Sequence, residues 1–246
     1  MNNELFEIPA ESKLPDWARS PIAVFDLETT GLDHRKSRIV TACAALIDAD
    51  GKIIGNDIEW LADPGIEIPV EASNVHGITT EIARARGRGL AEVVGEIVTT
   101  LRGYFDAGIP VVAYNAPYDF TILRNHAELF GLDWPSELIP IIDPLVIDKK
   151  LDRYRSGKRR LEIVATHYGV KLDDAHNATA DAVAAGHIAQ ALAKKYAREL
   201  PSTAAELHRL QIGWSNESDL SFADFMRKSG KTDFVAQLGW PEKPLA

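Results

Sequence analysis

The 246-residue sequence has one cysteine and two methionines, no apolar run approaching a membrane span, and fewer cationic than anionic side chains. A single thiol, Cys43, forms neither an intramolecular disulfide nor a thiolate metal cage. Its setting, IVTACAALI, marks it as a buried structural residue. The lack of about 18 to 20 consecutive apolar residues excludes a membrane helix. The N-terminal stretch MNNELFEIPAESKLPDW has neither the basic flank nor the apolar centre of a signal peptide, so the expected location is the cytoplasm, with no membrane partner. With 27 Lys and Arg against 36 Asp and Glu, the formal charge is −9, which disfavours coating nucleic acid by charge neutralisation. It leaves open an enzyme that grips one strand end through metal ions. What remains is ordinary globular material, 46% hydrophobic and 26% charged.

The organisation follows from periodicity. After a polar leader (residues 1–20), Ile22 to Phe25 form a strand ending in Asp26-Leu27-Glu28-Thr29. Arg38 to Ile47 and Lys52 to Leu61 flank Asp50-Gly51, a two-residue hairpin signal, giving an antiparallel meander. Leu90, Val93, Val94, Ile97, Val98, Leu101 and Phe105 fall at helical spacing, and Gly108 and Pro110 stop them. Val111 to Tyr114 is a short buried strand, Pro117 to Phe130 a helix, and Ile139 to Ile147 a further strand; Leu161 to Tyr168 and Ala178 to Tyr196 are helical. This is an α/β sheet with a meander on one side. Residues 21–200 are expected to form the main domain. Residues 201–246 are expected to be a C-terminal helical extension, with capping signatures at Thr203-Ala204-Ala205-Glu206 and Ser221 to Asp224.

Four acids and one histidine stand at the punctuation of this pattern. Asp26 and Glu28 are two apart on a strand, so both point to the same face, where two carboxylates repel unless a cation lies between them. Asp119 falls in the first turn of a helix, and Asp181 in the first turns of another, five residues after His176. Carboxylates are hard oxygen ligands that suit Mg²⁺ or Mn²⁺, and no Cys/His zinc spacing is present.

Together these segments resemble a known family. VFDLETTGLD resembles the first motif of the DnaQ-like 3'-5' exonucleases, VVAYNAPYDFTIL the second, HNATADAVAA the third, and VHGIT a loop common among them. The acids with His176 make the DEDDh signature, and the similarity spans roughly residues 20 to 195. The motifs look closer to the proofreading subunit of bacterial DNA polymerase III than to oligoribonuclease. The third motif lacks the Arg often found a few residues before its histidine. The resemblance implies a ribonuclease H-like fold, a mixed sheet flanked by helices. It implies two divalent cations, Mg²⁺ or Mn²⁺, one held by Asp26, Glu28 and Asp181 and the other by Asp26 and Asp119, with His176 as general base. It implies single-stranded nucleic acid 3' ends as substrate, DNA preferred, nucleoside 5'-monophosphates as product, and a polymerase or repair partner. Thr29, Leu32, His76, Asn115 and Tyr118 match positions that contact the terminal nucleotide.

Each residue also has an ordinary explanation. Asp26 and Glu28 alone could be a solvated strand end, and Asp-x-Glu-Thr is near the Asp-x-Asp-Thr of haloacid dehalogenase-type phosphatases. Asp119 could be a helix-start acid, and Asp143, Asp173 and Asp174 read as structural or solvated. His187 reads as a satisfied surface or packing residue, and Gln237-Leu238-Gly239-Trp240 as a chance likeness to a sliding-clamp peptide. Residues 149–160 carry a local charge of +6, either a solvated loop or one that tracks a strand. An exoribonuclease, or an inactive exonuclease fold serving as an interaction module, are the alternative functions.

Overall fold

A computed structural model describes residues 13–172 and 178–244. A short 3-10 helix, Asp16–Arg19, buries Trp17, whose indole donates to Pro201 O. Then come β1 (Ile22–Thr29), β2 (Ile39–Ile47), β3 (Ile53–Asp63), α1 (Val70–His76), α2 (Thr80–Arg86), β4 (Arg88–Gly89) and α3 (Leu90–Asp106). They are followed by β5 (Val111–Val112), α4 (Ala116–Leu129), β6 (Ile141–Ile142), α5 (Pro144–Leu151), α6 (Leu161–His167), α7 (Ala178–Lys195) and α8 (Ala204–Lys228).

The strands form one mixed sheet in the order β4-β3-β2-β1-β5-β6. β1 to β3 make the antiparallel meander, while β5 runs parallel to β1 and β6 parallel to β5. Alternation along β1 divides the core. Ala23, Phe25 and Leu27 pack beneath α3 and α4, and Ile22 and Val24 pack on the other face beneath α7. Asp26 and Glu28 continue the second series, so period two carries both acids to the α7 side. That helix lies very close to the sheet: a Cβ on Gly186 would stand 2.6 Å from Val24 Cγ1 and from Ile47 Cδ1. The approach brings the start of α7, with Asp181, over the acidic end of β1.

The meander follows the hairpin signal, with Gly51 at φ 83° and its carbonyl accepting from His187 Nε2 at 2.8 Å. His187 is thus a packing residue, as expected. Cys43 is fully buried opposite Asp26, and burial pushes its thiol up to about 12.

Three elements differ from the sequence reading. The strand expected over Ile139 to Ile147 is two residues long, because Asp143 caps a helix through Leu145 N and Pro144 occupies its first turn. The signature at Ser221 to Asp224 starts nothing, since α8 runs through it unbroken from Ala204; capping residues act only where the chain leaves helical geometry. The helix Val70–His76 was not anticipated, and it bears directly on the site.

Candidate active site

The site is built where β5 parts from β1. β5 pairs only with Ala23 and Val24, so beyond it the Leu27 N–H has no strand partner. Asp119, in the first turn of α4 and 2% exposed, fills the gap, its Oδ1 accepting from Leu27 N at 3.0 Å. Asp26 and Glu28 flank that residue on β1, and Asp181 stands in the first turn of α7. Four carboxylates from three elements therefore face one space.

Their electrostatics reflect this. Burial raises the Asp26 carboxyl well above the carboxylate range, and Asp119, Glu28 and Asp181 raise it further. Glu28 is pushed up to about 7 by burial and then by Asp181. Burial also raises Asp119, against the opposing hydrogen bonds from backbone N–H groups. Such a cluster is stable as charged groups only around a cation. Among the described residues no three His, Cys, Asp or Glu side chains are already drawn together as a closed ligand set. The donor chemistry still fits hard divalent cations, being all carboxylate oxygen. His176 lies outside the described residues.

Beside the acids opens a largely apolar slot of about 610 Å³. Its walls include Thr29 at the end of β1 with Gly31 and Leu32 just beyond it, Ala72, Val75 and His76 from α1 with Pro69 at its cap, and Tyr118 from α4 with Asn115 at its cap. The five expected substrate contacts thus line one cavity. Tyr118 OH reaches Gly31 O at 2.6 Å and Thr29 Oγ1 at 2.5 Å, which fixes the floor. Leu32 stands 89% exposed at the rim. His76 Nδ1 accepts from Ile78 N, and burial lowers its pKa, favouring a neutral ring. A second cavity of about 400 Å³ shares Glu28 and His76 with the slot and is closed by Thr41, Glu59, Trp60 and Ala178.

Sequence reasoning missed one contributor and left another without its partners. The α1 wall of Pro69, Ala72 and Val75 carries no polar signal. Asp143, read as structural, accepts from Asn115 N and Ala116 N at the head of α4; an Asp-Pro pair at a strand-helix junction was its available signature.

Three cations of the basic segment, Lys150, Arg155 and Arg159, are engaged within the molecule. Asp148, completely buried, receives Arg155 at 2.7 Å, Arg159, and Tyr168 OH at 2.8 Å. Tyr114 OH donates to Arg159 O, and Lys150 pairs with Glu217 at 2.6 Å. Arg155 and Arg159 are therefore structural, because a buried carboxylate needs its cations. Lys149 and Arg153 border a shallow groove of about 310 Å³ with Trp214, Phe222 and Phe225. Trp240 is 5% exposed, so the Gln237–Trp240 segment cannot present its aromatic anchor to a clamp.

The chain is 31% identical over 183 residues to the PolC-type DNA polymerase III of Lacticaseibacillus paracasei, covering 74% of this chain and 12% of that one. It is 29% identical over 164 residues to a DNA polymerase III subunit epsilon-like protein of Rhodobacter capsulatus, covering 65% and 22%. The chain thus spans less than a quarter of either relative. Among solved structures, the zinc-bound ExoI–ssDNA complex of E. coli superposes with a TM-score of 0.62 at 21% identity, over 83% of this chain and 45% of that one. Exonuclease I of Methylocaldum szegediense does so with 0.59 at 20%, over 84% and 46%. These superpositions establish the ribonuclease H-like exonuclease fold expected from the sequence. The RNase_T family model, described as Exonuclease, matches residues 23–189, two thirds of the sequence and every described carboxylate of the site, and the chain belongs to that exonuclease family.

Proposed function

We propose that this protein is a divalent-cation-dependent 3'-5' exonuclease that removes nucleoside 5'-monophosphates from single-stranded DNA ends. The observation that carries the proposal is the group of four carboxylates, from β1, α4 and α7, facing one space beside a nucleotide-sized slot. Family membership supports the reaction class. The preference for DNA is supported by the DNA polymerase III relatives and by the single-stranded DNA in the ExoI complex.

Asp26, Glu28 and Asp181 are proposed to hold one cation, and Asp26 with Asp119 a second, Mg²⁺ or Mn²⁺. When bound, such ions neutralise the carboxylates and polarise the scissile phosphodiester. His176, spaced five residues before Asp181, takes the proton of the attacking water through its imidazole. Thr29, His76, Asn115 and Tyr118 hold the terminal nucleotide in the slot, and Leu32 supplies an apolar wedge at its mouth. These contacts read an end rather than a base sequence, since the walls are mostly apolar. Residues 21–200 would form the catalytic unit and 201–246 an extension, acting in the cytoplasm with a polymerase or repair complex. Among the described residues no helix is long and apolar enough to cross a membrane.

The test uses matched DNA and RNA strands, labelled at either end, incubated with and without Mg²⁺ or Mn²⁺. The expected result is stepwise shortening of 5'-labelled DNA from its 3' end, only with a cation, and more slowly on RNA. Inertness of the pure protein with either ion would favour an interaction module, and faster RNA turnover would reverse the sugar preference.

A further inference from the structure

The head of α4 is a conformationally costly piece of chain. Asn115 has φ 64° and ψ 47°, the only non-glycine residue with positive φ among the described residues. Asn tolerates that conformation better than most residues with a side chain, at a modest cost that its surroundings offset. Here the constraint is Asp143, fully buried at the end of β6. Its Oδ1 accepts from Asn115 N and Leu145 N, and its Oδ2 accepts from Ala116 N, each at 3.0 Å. One carboxylate thus sets the turn from which α4 presents Tyr118 and Asp119, and also caps α5.

That carboxylate is held in turn by the C-terminal segment. Trp240 Nε1 donates to Asp143 Oδ2 at 3.2 Å. From α8, Gln211 accepts from Asp143 N at 2.7 Å and donates to Ile141 O, while His208 Nδ1 accepts from Ile141 N. Two side chains therefore complete the open edge of β6, where a further strand would otherwise pair. Beyond Trp240, Lys243 N donates to Thr121 Oγ1 at 2.8 Å, and Arg124 donates to Lys243 O at 2.7 Å. Both partners lie on α4.

We propose that Asp143 is a positioning residue for the head of α4, and that residues 240–243, docked through Trp240, hold it in place, so that the far end of the chain sets the catalytic geometry. The kinetic part rests on the exonuclease proposal; the structural part does not. The full-length protein tests it through Trp240→Phe, which keeps a buried ring and removes the donor. The control is Trp17→Phe, which loses a part-buried indole bond to Pro201 O in the other core cluster, on the opposite side of the sheet from α4.

In cation-free buffer, hydrogen exchange of the 113–120 peptide should accelerate about fivefold in Trp240→Phe and remain unchanged in Trp17→Phe. On single-stranded DNA with Mg²⁺, kcat should fall several-fold in Trp240→Phe, with KM within twofold of wild type and Trp17→Phe unaffected. Asp143→Asn, which sets an amide N–H₂ against N–H donors, should show both effects more strongly if it folds. Wild-type exchange at 113–120, or a kcat no lower than that of Trp17→Phe, overturns the proposal. If the wild-type protein hydrolyses nothing, the functional reading fails, and the exchange comparison alone decides whether Trp240 secures the turn.

Discussion

Glu28 offers a direct measure of how strongly the site needs a cation. Burial and the neighbouring Asp181 push its carboxyl from the ordinary 4.5 to about 7. Between those values the folded protein retains a proton that the unfolded chain has released. Stability contributed by this group is therefore lost as pH rises from 4.5 to 7, and the whole penalty applies above 7. The span corresponds to about 3 kcal/mol. Glu28→Gln removes the charge at constant shape. In EDTA at pH 8 it should stabilise the protein by about 3 kcal/mol, a rise in Tm on the order of 6 to 12 °C for a chain of this size. At pH 5 the two proteins should differ by less than about 1 kcal/mol, because wild-type Glu28 is protonated in the fold. Denaturant unfolding across pH 5 to 8 gives both numbers. Adding Mg²⁺ or Mn²⁺ should stabilise the wild type more than the variant, which loses one ligand of one cation but keeps Asp26, Asp119 and Asp181, since binding to the folded state alone raises apparent stability. A variant less stable than wild type at pH 8 without metal, or a gap of constant size across the range, would refute the reasoning.

Other outcomes follow from the same geometry. Asp26→Ala should abolish hydrolysis with either ion while raising Tm in EDTA, because it removes the carboxylate that all three others repel; retained activity would dissociate the cluster from the chemistry. Tyr118→Phe severs the contacts to Gly31 and Thr29, so KM should rise several-fold with a smaller change in kcat, measured on oligonucleotides at constant salt. Asp148→Asn leaves Arg155 and Arg159 facing a buried neutral group and should cost about 3 to 5 kcal/mol by denaturant unfolding. Lys149→Ala with Arg153→Ala, at the exposed groove, should leave that stability within about 0.5 kcal/mol.

Much of the fold was legible in the chain. Alternation along Ile22 to Glu28, the Asp50-Gly51 turn and the helical spacing from Leu90 to Phe105 each express a local preference that the packed structure reinforces. Short β6 was not legible, because Ile139 to Ile147 is apolar in either conformation and Asp143 with Pro144 decided in favour of a helix. Nor was the fate of the cations in residues 149–160. Whether an arginine meets solvent or a buried Asp148 depends on where a residue outside that loop points. The α1 wall escaped notice for a related reason: apolar residues at a cavity and in a core look alike in one dimension.

By itself, the sequence determined the residue types and their spacing: carboxylates two apart on a strand, an acid in the first turn of each of two helices, and turns that fold the meander. Those depend on backbone periodicity, which acts over a few residues. Only the tertiary structure decided that β5 stops short and leaves Leu27 N for Asp119, that Gly186 lets α7 come close enough to carry Asp181 over β1, and that Trp240 reaches the carboxylate that sets Asn115. Burial and charge repulsion depend on distances between segments far apart in the chain, so the raised proton affinities that suit these acids to cations arise only on folding.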